Sequence, residues 1–324
     1  MELTYIVVLF LLGIVLIVKG GDYFVDAASW IAEVSGIPKL IVGATIVSIC
    51  TTLPEMLVSV MAALQGKVDM SIGNAVGSVT ANIGLIMAIS IICMPGAIRR
   101  KDYLLKSVLM MAAALIIVVG GVKGQLSMLL SVLLLAIFII FICENVRAAQ
   151  RSMLAGGPRS SAARPAAPQK AEIAVNILKF VAGAAGVVVG AQLLVDNGSA
   201  LARLVGVSER IIGVTIVAIG TSLPELVTTI TAIVKKQSAL SVGNILGANI
   251  LDLTLILPLS SLISGKSLPI SSASAWIDLP ACLLVGVLAV VPALVTERFR
   301  RWQGWLLLLV YVAYVALTCT FVTA

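Results

Sequence analysis

Two short stretches place a carboxylate where an apolar chain should not carry one. Residues 50–56 read CTTLPEM and residues 220–226 read GTSLPEL, each inside a long apolar run. Proline has no N–H to donate and clashes with the carbonyl four residues back, so Pro54 frees the carbonyl of Cys50 and Pro224 frees that of Gly220. Two hydroxyls precede each proline, Thr51 and Thr52 in the first stretch, Thr221 and Ser222 in the second. A carboxylate follows it, Glu55 or Glu225. Backbone carbonyl, hydroxyl and carboxylate are hard oxygen ligands, the set that suits Ca²⁺ or an alkali cation. No soft or nitrogen ligand accompanies them.

Further polar residues follow downstream. Asn74, Ser78 and Asn82 are spaced by four and form one polar stripe on an otherwise apolar helix, with Asn244, Ala248 and Asp252 as the counterpart. A carboxylate at the centre of a spanning helix costs roughly 2.5–3.5 kcal/mol, so Glu55, Glu225 and Asp252 together cost on the order of 8–10 kcal/mol if uncompensated. No lysine or arginine lies inside the same helices, which leaves a bound cation or protonation of a carboxyl group as compensation.

Plainer roles compete. A single Pro-Glu pair reads equally well as a kink whose glutamate bonds a neighbouring helix, and its duplication is what favours a site. Asn74 and Asn244 serve either as ligands or as interhelical ties, and the threonines can bond back to their own helices. Gly73-x-x-x-Gly77 and Gly243-x-x-x-Gly247 fit small-residue helix packing. Asp22, Asp26, Asp196 and Asp278 fall near expected helix ends and read as interfacial, and Cys50 reads as a packing residue.

The elements that must hold these groups are membrane helices. The 324 residues are 60% hydrophobic and 11% charged, against about 25% charged in soluble domains. Apolar runs predict ten helices near 3–20, 40–66, 70–94, 103–122, 126–146, 172–195, 210–235, 240–264, 276–296 and 303–322. The N-terminal run lacks a basic segment before it and reads as a retained helix, not a signal peptide. Trp30, Trp276, Trp302 and Trp305 fall near helix ends, as interfacial aromatics do. The net charge of +7 is explained by basic cytoplasmic loops, and nucleic-acid binding is excluded on that ground. Five scattered cysteines form neither a disulfide framework nor a zinc site, and no cofactor is expected.

The halves repeat each other. At an offset of 170, GATIVSICTTLPE (43–55) matches GVTIVAIGTSLPE (213–225) at nine of thirteen positions, and SIGNAVGSVTAN (71–82) aligns without a gap to SVGNILGANILD (241–252). Residues 1–146 form one five-helix repeat and 172–324 the other, joined by a linker, 147–171, rich in Ala, Pro, Ser and Arg. Five is odd, so the second repeat enters the membrane from the opposite side. With the N-terminus outside, cytoplasmic loops hold fifteen Lys and Arg residues against five in external loops. Both termini are therefore expected outside. The fold class is an all-α polytopic membrane protein, ten helices in two inverted repeats, with Pro-broken helices at the midplane.

The paired motifs, CTTLPE with GNAVGSVTAN and GTSLPE with GNILGANILD, resemble the sodium/calcium exchanger branch of the calcium:cation antiporter superfamily. The resemblance covers nearly the whole chain and implies alternating-access exchange of Ca²⁺ for Na⁺. It assigns Ca²⁺ to Glu55 and Glu225, assisted by Thr51 and Thr221. It implies flanking Na⁺ sites at Thr52, Ser78 and the carbonyl of Ser48, and at Ser222 and the carbonyl of Ala218. Asn82 and Asp252 complete the middle of the set.

Three positions depart from the pattern. Ala248 stands where the family often has serine, Val79 where asparagine is usual, and Cys50 in place of glycine. Loss of the hydroxyl at 248 lowers the number of Na⁺ bound or shifts the counter-ion to K⁺ or H⁺. The linker is too short for the regulatory Ca²⁺-binding domains of animal exchangers. The expectation is an inner-membrane antiporter embedded in the lipid bilayer, with no obligate protein partner evident. A passive cation channel could use the same ligands, though channels usually ring one pore with symmetric subunits. An intramembrane enzyme lacks support, because the chain has no histidine and no apparent Ser/Lys pair.

Overall fold

A computed structural model describes residues 2–66, 68–154, 170–204, 220 and 222–321. Nine helices among the described residues are long and apolar enough to span a bilayer: α1 (Leu3–Ser35), α2 (Lys39–Leu64), α3 (Ser71–Cys93), α4 (Arg100–Val122), α5 (Met128–Leu154), α6 (Lys170–Leu201), α8 (Ser238–Ile263), α9 (Ser274–Thr296) and α10 (Arg301–Thr318). A shorter apolar helix, α7 (Leu223–Val234), covers the described part of the expected seventh span; residues 210–219 and 221 lie outside the described residues. The chain is an all-α polytopic membrane protein.

Three helices overrun their expected ends; α6, expected to stop near 195, continues to Leu204. The first does not stop at Gly20 but continues to Ser35, which places Lys19 inside α1 and not in a loop. Helix α5 continues to Leu154, because residues 147–154 contain helix formers and no Gly or Pro; residues 155–169 of the linker lie outside the described residues.

The chain divides into two compact units, and each takes segments from both sequence repeats. Unit 1 comprises Met1–Thr51 and Glu144–Asn244. In it α1 and α6 pack antiparallel, backbone against backbone. A Cβ on Gly13 would lie 3.0 Å from the Gly190 carbonyl oxygen, and one on Gly20 would lie 2.9 Å from that of Gly183. This is why the glycines do not end α1: they are surface for a neighbouring helix, and packing overrides their low helix propensity. A core of Phe24, Val25, Ala28, Val42, Val47, Ala232 and Leu240 fills the unit, with half-buried Cys50 packed against it as expected. Lys235 Nζ bonds Asp26 at 2.8 Å and Asp22 at 3.3 Å, so those aspartates are tied to the end of α7.

Unit 2 comprises Thr52–Cys143 and Ile245–Ala324. Two short antiparallel ribbons mark its ends. Strand β1 (Gly96–Ala97) pairs with β4 (Arg298–Phe299), and β2 (Gln125–Leu126) pairs with β3 (Leu268–Pro269). Strand β1 precedes α4 and β4 follows α9, whereas β2 follows α4 and β3 precedes α9. Helices α4 and α9 therefore run in opposite directions. They are equivalent under the 170-residue offset, as are α1 and α6 in unit 1. Each unit thus carries the inversion in its own helix pair.

Candidate ion-binding residues

In unit 1 the second motif opens a helix. Ser222 is the N-cap residue of α7, Pro224 lies in the first turn, and Glu225 follows. Proline is at home there, since the first turn has no intrahelical use for its missing N–H. The helix N-terminus also favours the Glu225 charge. Glu225 is 0% exposed. The preceding Gly220 has no room for a side chain, because a Cβ would collide with Val195 Cγ2.

Around this turn hydroxyls and amides form a connected set. Thr228 Oγ1 donates toward the Pro224 carbonyl at 2.8 Å and accepts from Asn244 Nδ2 at 3.0 Å. Asn244 Oδ1 in turn accepts from Thr51 Oγ1 at 3.2 Å. Thr51 Oγ1 also lies 3.3 Å from the carbonyl oxygen of Ser48, so the back-bonding alternative is partly realised. Ser48, Thr51 and Ser222 are buried. Ala218 and Thr221 lie outside the described residues.

The first motif, whose Thr52–Met56 belong to unit 2, takes a different local form. Pro54 sits within continuous helix, and the irregular turn of α2 lies earlier, as a π-helical segment at Gly43–Val47. Glu55 is 1% exposed, and Thr52, Ser78, Asn82 and Asp252 are buried in the same unit. Asn74 Nδ2 donates to the Glu55 carbonyl at 3.2 Å and to Ser59 Oγ at 2.9 Å. Asn74 and Asn244 thus both act as interhelical ties. Of the expected glycine packing, Gly243 meets it, with a Cβ position 3.0 Å from the Ala44 nitrogen; Gly73 faces no described residue within 4 Å.

Asn82 and Asp252 share a feature that no residue count reveals: each is the first residue of a π-helical turn, Asn82–Met87 and Asp252–Ile256. The two positions are equivalent under the offset. A π turn breaks the regular hydrogen-bond ladder, and such turns recur at functional sites. Both amide atoms of buried Asn82 lack a hydrogen-bond partner among the described residues, and the same is true of Asn249. Asn249 was missing from the expected stripe. It lies three residues before Asp252, on the same helix face, so the second stripe passes through Asn249 where Ala248 offers no oxygen. The signal is the asparagine of GANILD, at the position where the first repeat carries Val79. Ser71 and Ser260, fully buried and joined Oγ to Oγ at 3.0 Å, were also missed, because serine in an apolar run carries no periodicity of its own.

Unit 1 thus buries Glu225, and unit 2 buries Glu55 and Asp252, in helices that also carry buried hydroxyl and amide groups. A family model described as sodium/calcium exchanger protein matches residues 5–145 and 175–320. The chain is 31% identical to sodium/calcium exchanger MaX1 of Methanosarcina acetivorans, over 94% of this chain and 95% of that one. It is 34% identical to inner membrane protein YrbG of Escherichia coli, covering 86% of each. Among solved structures, the sodium-calcium exchanger NCX_Mj soaked with 2.5 mM Na⁺ and 0.1 mM Sr²⁺ superposes with a TM-score of 0.81 at 30% identity, covering 97% of this chain and 99% of that one. This chain belongs to the sodium/calcium exchanger family.

Proposed function

We propose that the protein is a secondary active antiporter that exchanges Ca²⁺ for Na⁺ across the membrane by alternating access. The observation that carries this reading is the burial of Glu225 and Glu55, 0% and 1% exposed, in apolar membrane helices furnished with hard oxygen donors. Family membership supports it, and so do the ions named for the matched NCX_Mj structure.

In this reading Glu225, Ser222 and Thr221 of the second motif, with Thr51, and Glu55, Thr52, Ser78, Asn82 and Asp252 of unit 2 bind the transported cations. The carbonyls of Ser48 and Ala218 complete the Na⁺ ligands. Ca²⁺ and Na⁺ compete for the same carboxylates. An empty carrier leaves those charges uncompensated at membrane depth, which disfavours its reorientation and couples the two fluxes. Both termini lie outside and the host is the inner membrane, a placement supported by six cations at the β1–β4 ribbon (Arg99, Arg100, Lys101, Arg298, Arg300, Arg301) against Lys123 and Lys266 near the other ribbon.

Radiolabelled Ca²⁺ uptake into proteoliposomes under outward Na⁺, K⁺ or H⁺ gradients tests the reading. Uptake driven by Na⁺ alone is expected. Uptake driven by K⁺ or H⁺ reassigns the counter-ion, which the alanine at 248 makes worth measuring. Downhill flux indifferent to every counter-gradient overturns exchange in favour of a channel.

A further inference from the structure

The β1–β4 ribbon of unit 2 brings together basic residues from two segments remote in sequence. Its register sets Ala97 opposite Arg298, and the Ile98 N–H donates to the Glu297 carbonyl at 2.9 Å. Arg99, Arg100, Lys101, Arg298, Arg300 and Arg301 are thereby gathered at one end of the unit, all exposed. Arg99 pairs with Asp102 at 2.6 Å, and the other five form no ion pair with a described residue. Glu297 is the other carboxylate present, and it works against an anion here.

Helices α4 and α10 both begin at this ribbon, with Arg99 preceding one and Arg300 the other. Helix N-termini favour negative charge, yet both carry cations. The positive-inside tendency places basic residues at these helix starts, where, Asp102 in the first turn of α4 apart, they repel one another and both dipoles. A bound anion offsets both repulsions. Independently, the surface there is hollowed: an open depression of about 490 Å³ is lined by Ile98, Arg99, Arg100, Lys101, Leu104 and Glu297. From its apolar rim, exposed Leu104, Leu105 and Val108 continue along α4 into the spanning region. Trp302 and Trp305, half exposed or more, stand at the start of α10 as interfacial residues do.

We propose that this depression binds the phosphodiester headgroup of an anionic membrane lipid, whose acyl chains lie along Leu104, Leu105 and Val108. The cations hold the phosphate, and the apolar continuation along α4 selects a lipid over a free anion.

Native mass spectrometry of the purified full chain in detergent, titrated with phosphatidylglycerol, phosphatidylcholine or inorganic phosphate, tests this. Phosphatidylglycerol is expected to bind about tenfold tighter than phosphatidylcholine, and Arg99→Gln/Arg100→Gln/Lys101→Gln, which removes the three cations that line the depression, should remove that preference. The pair Lys123→Gln/Lys266→Gln, near the other ribbon, should leave it intact. Equal binding of both lipids, retention of the preference in the triple variant, or equal loss in the control pair overturns the proposal. Displacement of phosphatidylglycerol by millimolar inorganic phosphate overturns it in favour of a free-anion site. Should the triple variant fail to fold, Lys101→Gln and a salt titration of the unaltered protein decide. Headgroup preference must weaken in both, and a preference unmoved by either overturns the assignment.

Discussion

At the residue scale, the two glutamates proposed as cation ligands stand in two different backbone settings. Glu225 sits in the first turn of a helix, whereas Glu55 follows a proline inside one. The helix N-terminus lends Glu225 a favourable field that Glu55 lacks. Glu55→Gln and Glu225→Gln each remove a charge from a proposed ligand and should lower Ca²⁺ exchange by about 100-fold or more, measured as Na⁺-dependent uptake into proteoliposomes; exchange at the unaltered rate in either variant removes that residue from the proposed set. Asn244→Ala has a different signature. It deletes a donor to Thr228 Oγ1 and an acceptor for Thr51 Oγ1, leaving both hydroxyls buried with one partner fewer. A loss of about 1–3 kcal/mol in stability is expected, read as a lowered thermal unfolding midpoint in detergent. Ala248→Ser restores a hydroxyl at a fully buried position. If Na⁺ binds there, the Na⁺ concentration for half-maximal exchange should fall while that for Ca²⁺ holds; an unchanged Na⁺ dependence means the position does not face the ion.

At the element scale, the controlling devices are close helix packing and π-helical turns. The contact of α1 with α6 depends on glycines whose missing side chains leave room for backbone. On Gly183 a Cβ would lie 2.6 Å from the Phe24 nitrogen, with backbone that cannot swing aside. Gly183→Ala should therefore destabilise by about 1–3 kcal/mol or separate the pair, measured by thermal unfolding and by the folded fraction on size-exclusion chromatography. Gly96→Ala, where nothing lies within 4 Å of the new Cβ, should stay within about 0.5 kcal/mol of the parent. Equal effects of the two would show that crowding is not what those glycines relieve. The π turns that begin at Asn82 and Asp252 point their irregular hydrogen bonding at equivalent positions of the two repeats. That coincidence ties the polar stripe to backbone geometry and not to side-chain type alone.

At the scale of the whole molecule, inversion is the organising fact. It appears twice over, in the antiparallel α1–α6 pair of unit 1 and the antiparallel α4–α9 pair of unit 2. The ribbons turn it into a measurement. With the native cysteines replaced, Lys101→Cys and Arg300→Cys should react with a membrane-impermeant maleimide from one side of the membrane, and Lys123→Cys and Lys266→Cys from the other. Labelling of all four from one side is incompatible with α4 and α9 as opposed spanning helices. Labelling of the first pair from the cytoplasmic side fixes both termini outside.

Much of this was legible in the sequence, for a physical reason. A bilayer imposes one solvent rule along every spanning segment, so apolar run length alone locates the helices, and a carboxylate inside such a run stands out by its cost. The offset of 170 residues then exposes the repeat and, with five helices per copy, its inversion. What the sequence left open was decided by neighbours remote along the chain. Gly20 reads locally as a helix end and is instead the contact surface for α6; Asn74 and Asn244 read equally as ligands or ties until their partners are placed. Asn249 stands three residues before Asp252 in the sequence, but its burial with both amide atoms lacking a partner among the described residues is seen only in the structure. Local composition determines whether a segment enters the membrane, because that depends on transfer from water. Which polar group meets which depends on packing between segments, and only the tertiary structure decides it.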